Sequence, residues 1–144
     1  MKEMCKAKIL IKQSIQTITN ERKLLSKFNF PLLTNMYFAF QDNENLYIII
    51  DYLSGGDLRY HLYHHKIFTE KQIKFIAACI ILNLEYIHQN NVIHLDLKPE
   101  NLGFDSYGYL HLTDFGIAEE YDYRKLIISD SGTPAYMAPE TLLK

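Results

Sequence analysis

Between Gln13 and Lys27 the apolar residues Ile15, Ile18, Leu24 and Leu25 recur at helical spacing, with charged positions between them. This predicts a helix, and Phe30-Pro31 ends it. The pattern then changes. Met36 to Phe40 and Leu46 to Leu53 are rich in β-branched and aromatic residues, and the polar stretch Gln41-Asp42-Asn43-Glu44-Asn45 joins them, so a β-hairpin is expected. Ser54-Gly55-Gly56 breaks the chain, and Asp57 is placed to cap a short helix reaching about His64. Thr69-Glu70-Lys71-Gln72 has the form of a capping box, with an apolar stretch behind it to Ile87. Phe75 to Leu82 is apolar almost all round, which predicts burial on more than one side. Beyond residue 90, Ile93, Leu102–Phe104 and Leu110–Thr113 read as short strands, with Ser106-Tyr107-Gly108 turning between the last two. Helix, hairpin, helices, then short strands and a polar loop make an α+β chain, not a doubly wound parallel repeat.

Composition narrows the function classes. Of 144 residues, 48% are hydrophobic and 13% aromatic, enough for a core and wrong for a disordered chain. Fifteen Lys and Arg against 17 Asp and Glu give a net charge of −2, which excludes electrostatically driven nucleic-acid binding. Cys5 and Cys79 make no disulfide framework, so a reducing compartment is expected, the cytoplasm or the nucleus. The start, Met1-Lys2-Glu3-Met4-Cys5-Lys6, is charged where a signal peptide needs an apolar run, and no segment has the length of a membrane span.

The chemistry concentrates in His94-Leu95-Asp96-Leu97-Lys98-Pro99-Glu100-Asn101 and Asp114-Phe115-Gly116. Across Pro99, Asp96, Lys98 and Asn101 cannot share a helix face, so they belong to a loop aiming several side chains at one spot. Asn101 and Asp114 offer hard oxygens suited to Mg²⁺, which binds through one or two protein oxygens plus substrate phosphates. Asp96 is free to accept a proton and Lys98 to neutralise a transferring phosphoryl group. Any one of these residues alone would read as an ordinary loop polar. His61, His64 and His65 cluster after the glycines, but no Cys or acidic residue is spaced to complete a zinc site.

Together these segments resemble the eukaryotic protein kinases over nearly the whole chain. His94 to Asn101 resembles the catalytic loop, Asp114-Phe115-Gly116 the metal-binding motif, and Ala138-Pro139-Glu140 the end of the activation segment. Phe28-Asn29-Phe30-Pro31-Leu32-Leu33, Asn45-Leu46-Tyr47 and Gly132-Thr133-Pro134-Ala135-Tyr136-Met137 are similar to AGC-group serine/threonine kinases, and Gly55-Gly56-Asp57-Leu58-Arg59-Tyr60-His61-Leu62 to their YANK subgroup.

The resemblance implies a kinase-like two-lobe fold truncated at both ends, with residues 1–50 in the small lobe and 51–144 in the large one. It implies MgATP as cofactor and a protein Ser/Thr hydroxyl as acceptor. Asp96 would be the catalytic base, Lys98 the γ-phosphate contact, and Asn101 and Asp114 the Mg²⁺ ligands. Counting by family spacing, Lys2 would be the strand lysine and Glu21 its helix partner. Ile50 would be the gatekeeper; Asp51, Tyr52 and Leu53 the hinge at adenine; Asp57 the ribose contact. Leu25, Met36, His94 and Phe115 would stack as a spine, making His94 a packed residue and not a base. Lys98 and Thr133 are the serine/threonine-type choices, and Asp57 with Glu100 would favour a basic substrate.

Four features depart from the pattern. Leu95, Thr17 and Glu119 replace residues that are often basic and grip an activation-segment phosphate, so activity is expected to be independent of phosphate at Ser129. Gly103 stands where a branched apolar residue packs under adenine, a loss of about 1–2 kcal/mol of apolar burial. None of the six glycines forms a Gly-x-Gly-x-x-Gly phosphate loop, and the single residue ahead of Lys2 is too short to hold one. The chain stops four residues after Glu140, which would leave the Phe75–Leu82 helix short of packing and exposing an apolar patch. The chain therefore reads as the middle of a kinase domain, expected to be inactive alone, with a pseudokinase or inert kinase fragment acting by partner binding as the alternative.

Overall fold

A computed structural model describes residues 1–65, 67–122, 124 and 131–143. Ser129 lies outside them. The first half is built on a three-stranded antiparallel sheet of β1 (Lys2–Cys5), β2 (Met36–Gln41) and β3 (Asn45–Ile50), in the order β1-β3-β2. Lys2 faces Ile48 across the β1–β3 ladder, and Phe40 faces Tyr47 across the hairpin. The hairpin turn closes on Asp42, whose Oδ1 accepts from the backbone N–H of Glu44 (2.8 Å) and Asn45 (2.6 Å). The strand ends at Ile50, earlier than the apolar run to Leu53 suggests, because Asp51 to Gly56 leave the sheet as a connecting strap.

Between β1 and β2 lie α1 (Lys6–Ile11) and α2 (Ile15–Leu25). The predicted start at Gln13 is displaced: Gln13 has a positive φ (52°) and turns the chain between the two helices. In α1, Lys6, Lys8 and Ile9 are too few residues to show periodicity, and only Ile9 is buried. In α2, Glu21, Leu24 and Leu25 form the buried stripe.

After the strap come α3 (Leu58–His65) and α4 (Glu70–Gln89). Asp57 caps α3 by accepting from the Tyr60 N–H at 2.7 Å. The capping box of α4 is reciprocal: Thr69 Oγ1 accepts from Gln72 N–H (3.3 Å) and Gln72 Oε1 from Thr69 N–H (2.9 Å). The burial of α4 on several sides that its apolar circumference suggests is not found, whereas the apolar patch expected to be exposed along Phe75–Leu82 is. Only the stripe Cys79, Asn83 and Ile87 is buried, while Ile73, Phe75, Ile81 and Leu82 are exposed. Among the described residues no helix is long and apolar enough to cross a membrane.

The remaining strands are short. β4 (Val92–Ile93) pairs with β7 (Glu119–Glu120), and β5 (Leu102–Phe104) with β6 (Leu110–Leu112). Thr113 falls just outside β6, and β7, a pair of glutamates, carries no strand signal in its sequence. Leu112 joins the halves: its N–H donates to Leu32 O (3.0 Å) and its carbonyl accepts from Thr34 N–H (3.1 Å). One core then runs through the molecule, from Ile48 and Leu24 through Phe28 and Phe115 to Leu112, Ile87 and Val92.

Candidate active site

Strand β4 feeds directly into the loop that carries Asp96. Leu95 (φ 66°) and Asp114 (φ 61°) both hold left-handed backbone, a local cost of about 1–3 kcal/mol each that the surrounding packing must hold. Gly132 is fitted against the first of them: a Cβ there would lie 2.7 Å from the Leu95 carbonyl oxygen. His94 locks the loop from beneath. Its ring is 2% exposed and packs edge-on to Phe115 at 5.2 Å. Nε2 lies 2.9 Å from Thr113 O, an acceptor only, so Nε2 carries the proton and Nδ1 accepts from Asp96 N–H at 3.3 Å. Burial holds the imidazole below its usual range, against the opposing pull of Thr113 O, Asp114 and Asp96.

This places the Asp96 carboxylate among three donors. Lys98 Nζ reaches Oδ2 at 2.6 Å, Thr133 Oγ1 donates to Oδ1 at 2.6 Å, and Asn101 Nδ2 donates to Oδ2 at 3.1 Å and to the Asp96 carbonyl at 2.9 Å. Lys98 also donates to Thr133 Oγ1 at 2.9 Å. Burial pushes the Asp96 carboxyl up, but the hydrogen bonds from Lys98 and Thr133, the Lys98 charge and the Asn101 amide outweigh it, so it lies below the ordinary 3.8. Lys98 is raised, first by its hydrogen bond to Asp96. The 3-10 turn Pro99–Asn101 tucks Asn101 into the interior and brings its amide back to Asp96.

With its amide nitrogen on Asp96, Asn101 turns its oxygen away. Asp114 accepts from Gly116 N–H at 3.3 Å. Two hard oxygens are a donor set that fits Mg²⁺, which needs few protein ligands; the nearby His94 imidazole is committed to Thr113 O and Asp96 N–H. Among the described residues no cluster of three or more His, Cys, Asp or Glu could hold a metal unaided. His61 Nε2 is 2.6 Å from Gly55 O, and His64 Nδ1 is 2.8 Å from Tyr60 O.

Lys2 and Glu21 meet across β1 and α2. Nζ is 2.8 Å from Oε1 and 2.7 Å from Oε2, with the Glu21 side chain buried and that of Lys2 41% exposed. At the strap, the Asp51 carboxylate is turned inward: Oδ2 accepts from Asn35 N–H (2.9 Å) and Nδ2 (3.0 Å), and Tyr37 Oη donates to Oδ1. Burial raises this carboxyl, yet these bonds together bring it below the ordinary value. Ile50 packs against the core. Leu53 covers Gly103: a Cβ built on Gly103 would be 2.6 Å from Leu53 Cδ1. Asp57 spends Oδ1 on its helix cap, and Glu100 Oε1 stands 3.7 Å from Arg59 Nε. Of the expected spine, His94 and Phe115 touch, Leu25 is in the same core cluster, and Met36 packs against it. A cavity of about 730 Å³ between α3, α4 and the turn after β5 is lined by none of these residues. A second, of about 220 Å³, is lined by Asp96 and Thr133.

Sequence reasoning did not find Asn35 and Tyr37 as anchors of Asp51, or Leu53 as the cover of Gly103, since each pairs residues far apart in the chain. It also missed Asn20, whose Nδ2 lies 2.7 Å from Ala118 O. Its one signal is an asparagine, a poor helix former, in mid-helix beside Glu21.

A short sheet with a helix-borne glutamate on a strand lysine, over a loop of Asp, Lys and Asn, is the arrangement of the protein kinases, and the chain belongs to that family. The protein kinase domain profile matches residues 1–144. Serine/threonine-protein kinase sgk-1 of Caenorhabditis elegans is 43% identical over 146 residues, covering 100% of this chain and 32% of the relative. The RAC family serine/threonine-protein kinase homolog of Dictyostelium discoideum is 41% identical over 147 residues, 99% of this chain and 32% of the relative. Serine/threonine-protein kinase 32B of Homo sapiens is 38% identical over 140 residues, 97% and 34% respectively. The chain thus spans about a third of the length of the curated relatives it matches.

Proposed function

We propose that this chain forms the central part of a serine/threonine protein kinase domain, transferring the γ-phosphoryl group of ATP to a protein hydroxyl. The observation that carries the reading is the Asp96 carboxylate gripped by Lys98, Thr133 and Asn101. Residues 1–50 would form the small lobe and 51–144 the large one, with the nucleotide between them. MgATP when bound supplies the electrophilic phosphorus and the metal charge that neutralises its oxygens. The chain's own residues do the rest. Lys2, oriented by Glu21, would meet phosphate oxygens, and Asn101 and Asp114 would hold the metal. Ile50, the backbone of Asp51 to Leu53 and the surface at Gly103 would receive adenine, and Asp57 would hold the ribose.

Lowered below the ordinary carboxylate range, Asp96 is a weak base. It orients the acceptor hydroxyl and takes the proton late, as bond formation to phosphorus acidifies that hydroxyl. Lys98 stays charged beside it and offsets charge on the moving phosphoryl group. A basic substrate segment would meet Asp57 and Glu100, but Arg59 already offsets Glu100, so the preference is weak. A reducing compartment, cytoplasm or nucleus, agrees with Cys5 and Cys79 as free thiols.

The test is transfer from radiolabelled ATP to a serine peptide by a complete kinase domain that contains residues 1–144, comparing that parent with Asp96→Asn. Loss of a positioned base lowers the rate by about 10²–10⁴-fold. A rate unchanged by the substitution overturns the assignment. ATP binding without any transfer by the parent replaces this reading with a non-catalytic one.

A further inference from the structure

One face of α2 meets the segment that follows Asp114. The Thr17 methyl lies against Gly116, so closely that a Cβ on the glycine would be 2.6 Å from Cγ2. One turn later, Asn20 Nδ2 lies 3.3, 3.2 and 2.7 Å from the carbonyl oxygens of Phe115, Gly116 and Ala118. Further along, Lys23 Nζ reaches Glu120 Oε2 at 2.5 Å, and Lys27 Nζ binds Oε1 of the same carboxylate. Thr17, Asn20 and Lys23 follow the i+3 steps that keep side chains on one helical face, and Lys27, two residues past the end of α2, reaches the same carboxylate as Lys23. Glu120 is in turn paired to Val92 on β4, and Tyr121 N–H donates to Asn91 O at 2.9 Å. A continuous path therefore leads from α2, which carries Glu21, through β7 to the strand that enters the Asp96 loop.

We propose that this face is a built-in clamp: it docks residues 115–120 against α2 without any phosphate, and Asn20 is a positioning residue for the transfer step. The inference deepens the kinase reading and rests on it for the word transfer, though not for the clamp itself. Two facts carry it. The amide of Asn20 meets three consecutive-region carbonyls that directly follow the left-handed Asp114 and fixes their direction. Thr17, one of the positions where a cation could have received a phosphate, is instead committed to van der Waals contact with Gly116. The lysine pairs on Glu120 are half exposed, so each adds little and is screened by salt. Asn20 bears more of the load.

The experiment is amide hydrogen exchange on the full chain after phosphatase treatment, with the buried Ile87 of α4 as the control for global opening. Expected is retained protection at Ala118 and Tyr121 in the treated parent, and exchange about tenfold faster at both in Asn20→Ala and in the size-matched Asn20→Asp, with Ile87 unchanged. The double variant Lys23→Glu/Lys27→Glu exchanges faster at Tyr121, and adding Glu120→Lys restores protection. Where transfer is measured, Asn20→Ala lowers kcat about tenfold and leaves the KM for ATP within about twofold. Parent-like exchange in both Asn20 variants, loss of protection on phosphatase treatment, or equal acceleration at Ile87 each overturns the clamp. Absence of transfer by a complete kinase domain that contains residues 1–144 overturns the proposed function instead and leaves the exchange result standing.

Discussion

Gly103 offers the sharpest test of the packing at the strap. From the sequence alone its missing side chain reads as a hole beneath the nucleotide; in the structure Leu53 fills that volume. A Cβ at position 103 would lie 2.6 Å from Leu53 Cδ1, 3.4 Å from its Cβ and 3.6 Å from its Cγ. Only the first distance is a collision, and it falls on the free end of a half-buried side chain that can turn aside. Gly103→Ala should therefore cost about 1 kcal/mol, the low end for overpacking, and Gly103→Val about 2 kcal/mol, because its two further methyls enter the same space. Leu53→Ala alone should cost about 1–2 kcal/mol, discounted from the fully buried value for its partial exposure. Combined, the valine occupies the volume the leucine has left. The double variant should then recover at least about 1 kcal/mol relative to the sum of the singles. Urea unfolding followed by circular dichroism on the four proteins of the cycle reads this coupling. Additivity to within about 0.5 kcal/mol would mean that Leu53 and Gly103 do not share that space, and the explanation of the glycine would fail.

Three further outcomes follow from the site. Gly132→Ala meets both a positive φ (127°) and a backbone oxygen at 2.7 Å that cannot turn away, so it should cost at least about 2 kcal/mol, seen as a fall in the urea midpoint. A cost within about 0.5 kcal/mol would show that the Leu95 carbonyl does not constrain it. Lys2→Met leaves the buried Glu21 carboxylate without its cation and should destabilise by about 1–3 kcal/mol, while Glu21→Gln, which removes the charge itself, should cost less. The reverse order of midpoints would refute the pairing argument. His94 is held neutral by burial, so its folded value lies below the ordinary 6.5 and the unfolded chain takes up the proton first. Its contribution to stability is whole above pH 6.5 and is lost as pH falls from there through the lowered folded value. The parent should thus lose more stability between pH 7 and pH 5 than His94→Phe does; equal losses would contradict the burial of a neutral ring.

What the sequence shows well is whatever a contiguous segment can encode. Thr69-Glu70-Lys71-Gln72 closes its capping box within four residues, and Asp57 caps α3 three residues on. His94 to Asn101 is legible for the same reason: Pro99 enforces a turn, and the turn alone returns the Asn101 amide to Asp96. Where a structure depends on distant pairings, composition gives little. The two glutamates of β7 have no strand propensity, and they form a strand because Val92 and Ile93 present an edge to pair with, the Lys23 and Lys27 pairs on Glu120 adding little. Thr17 looks like a missing cation until Gly116 is seen beneath its methyl.

The same distinction explains why α4 misled. An apolar circumference predicts burial only if there is something to bury it against. Strand β6 covers a single stripe: Asn83, fully buried, donates to Leu110 O at 3.4 Å and to Cys79 O at 2.9 Å, and Ile87 lies one turn further along the same face. Ile81 and Leu82 are rotated away from that stripe and remain exposed. Their hydrophobicity thus gives the loop of Asp96 no support, whereas the 79–83–87 stripe does, because it packs on the strand that leads into Thr113, whose carbonyl fixes the tautomer of His94. The chemistry of the loop therefore depends on the inward side of α4, the buried stripe with Ile76, Ile80 and Leu84 packed beside it, and substitutions on the opposite face, such as Ile81→Gln, should leave the geometry at Asp96 unchanged.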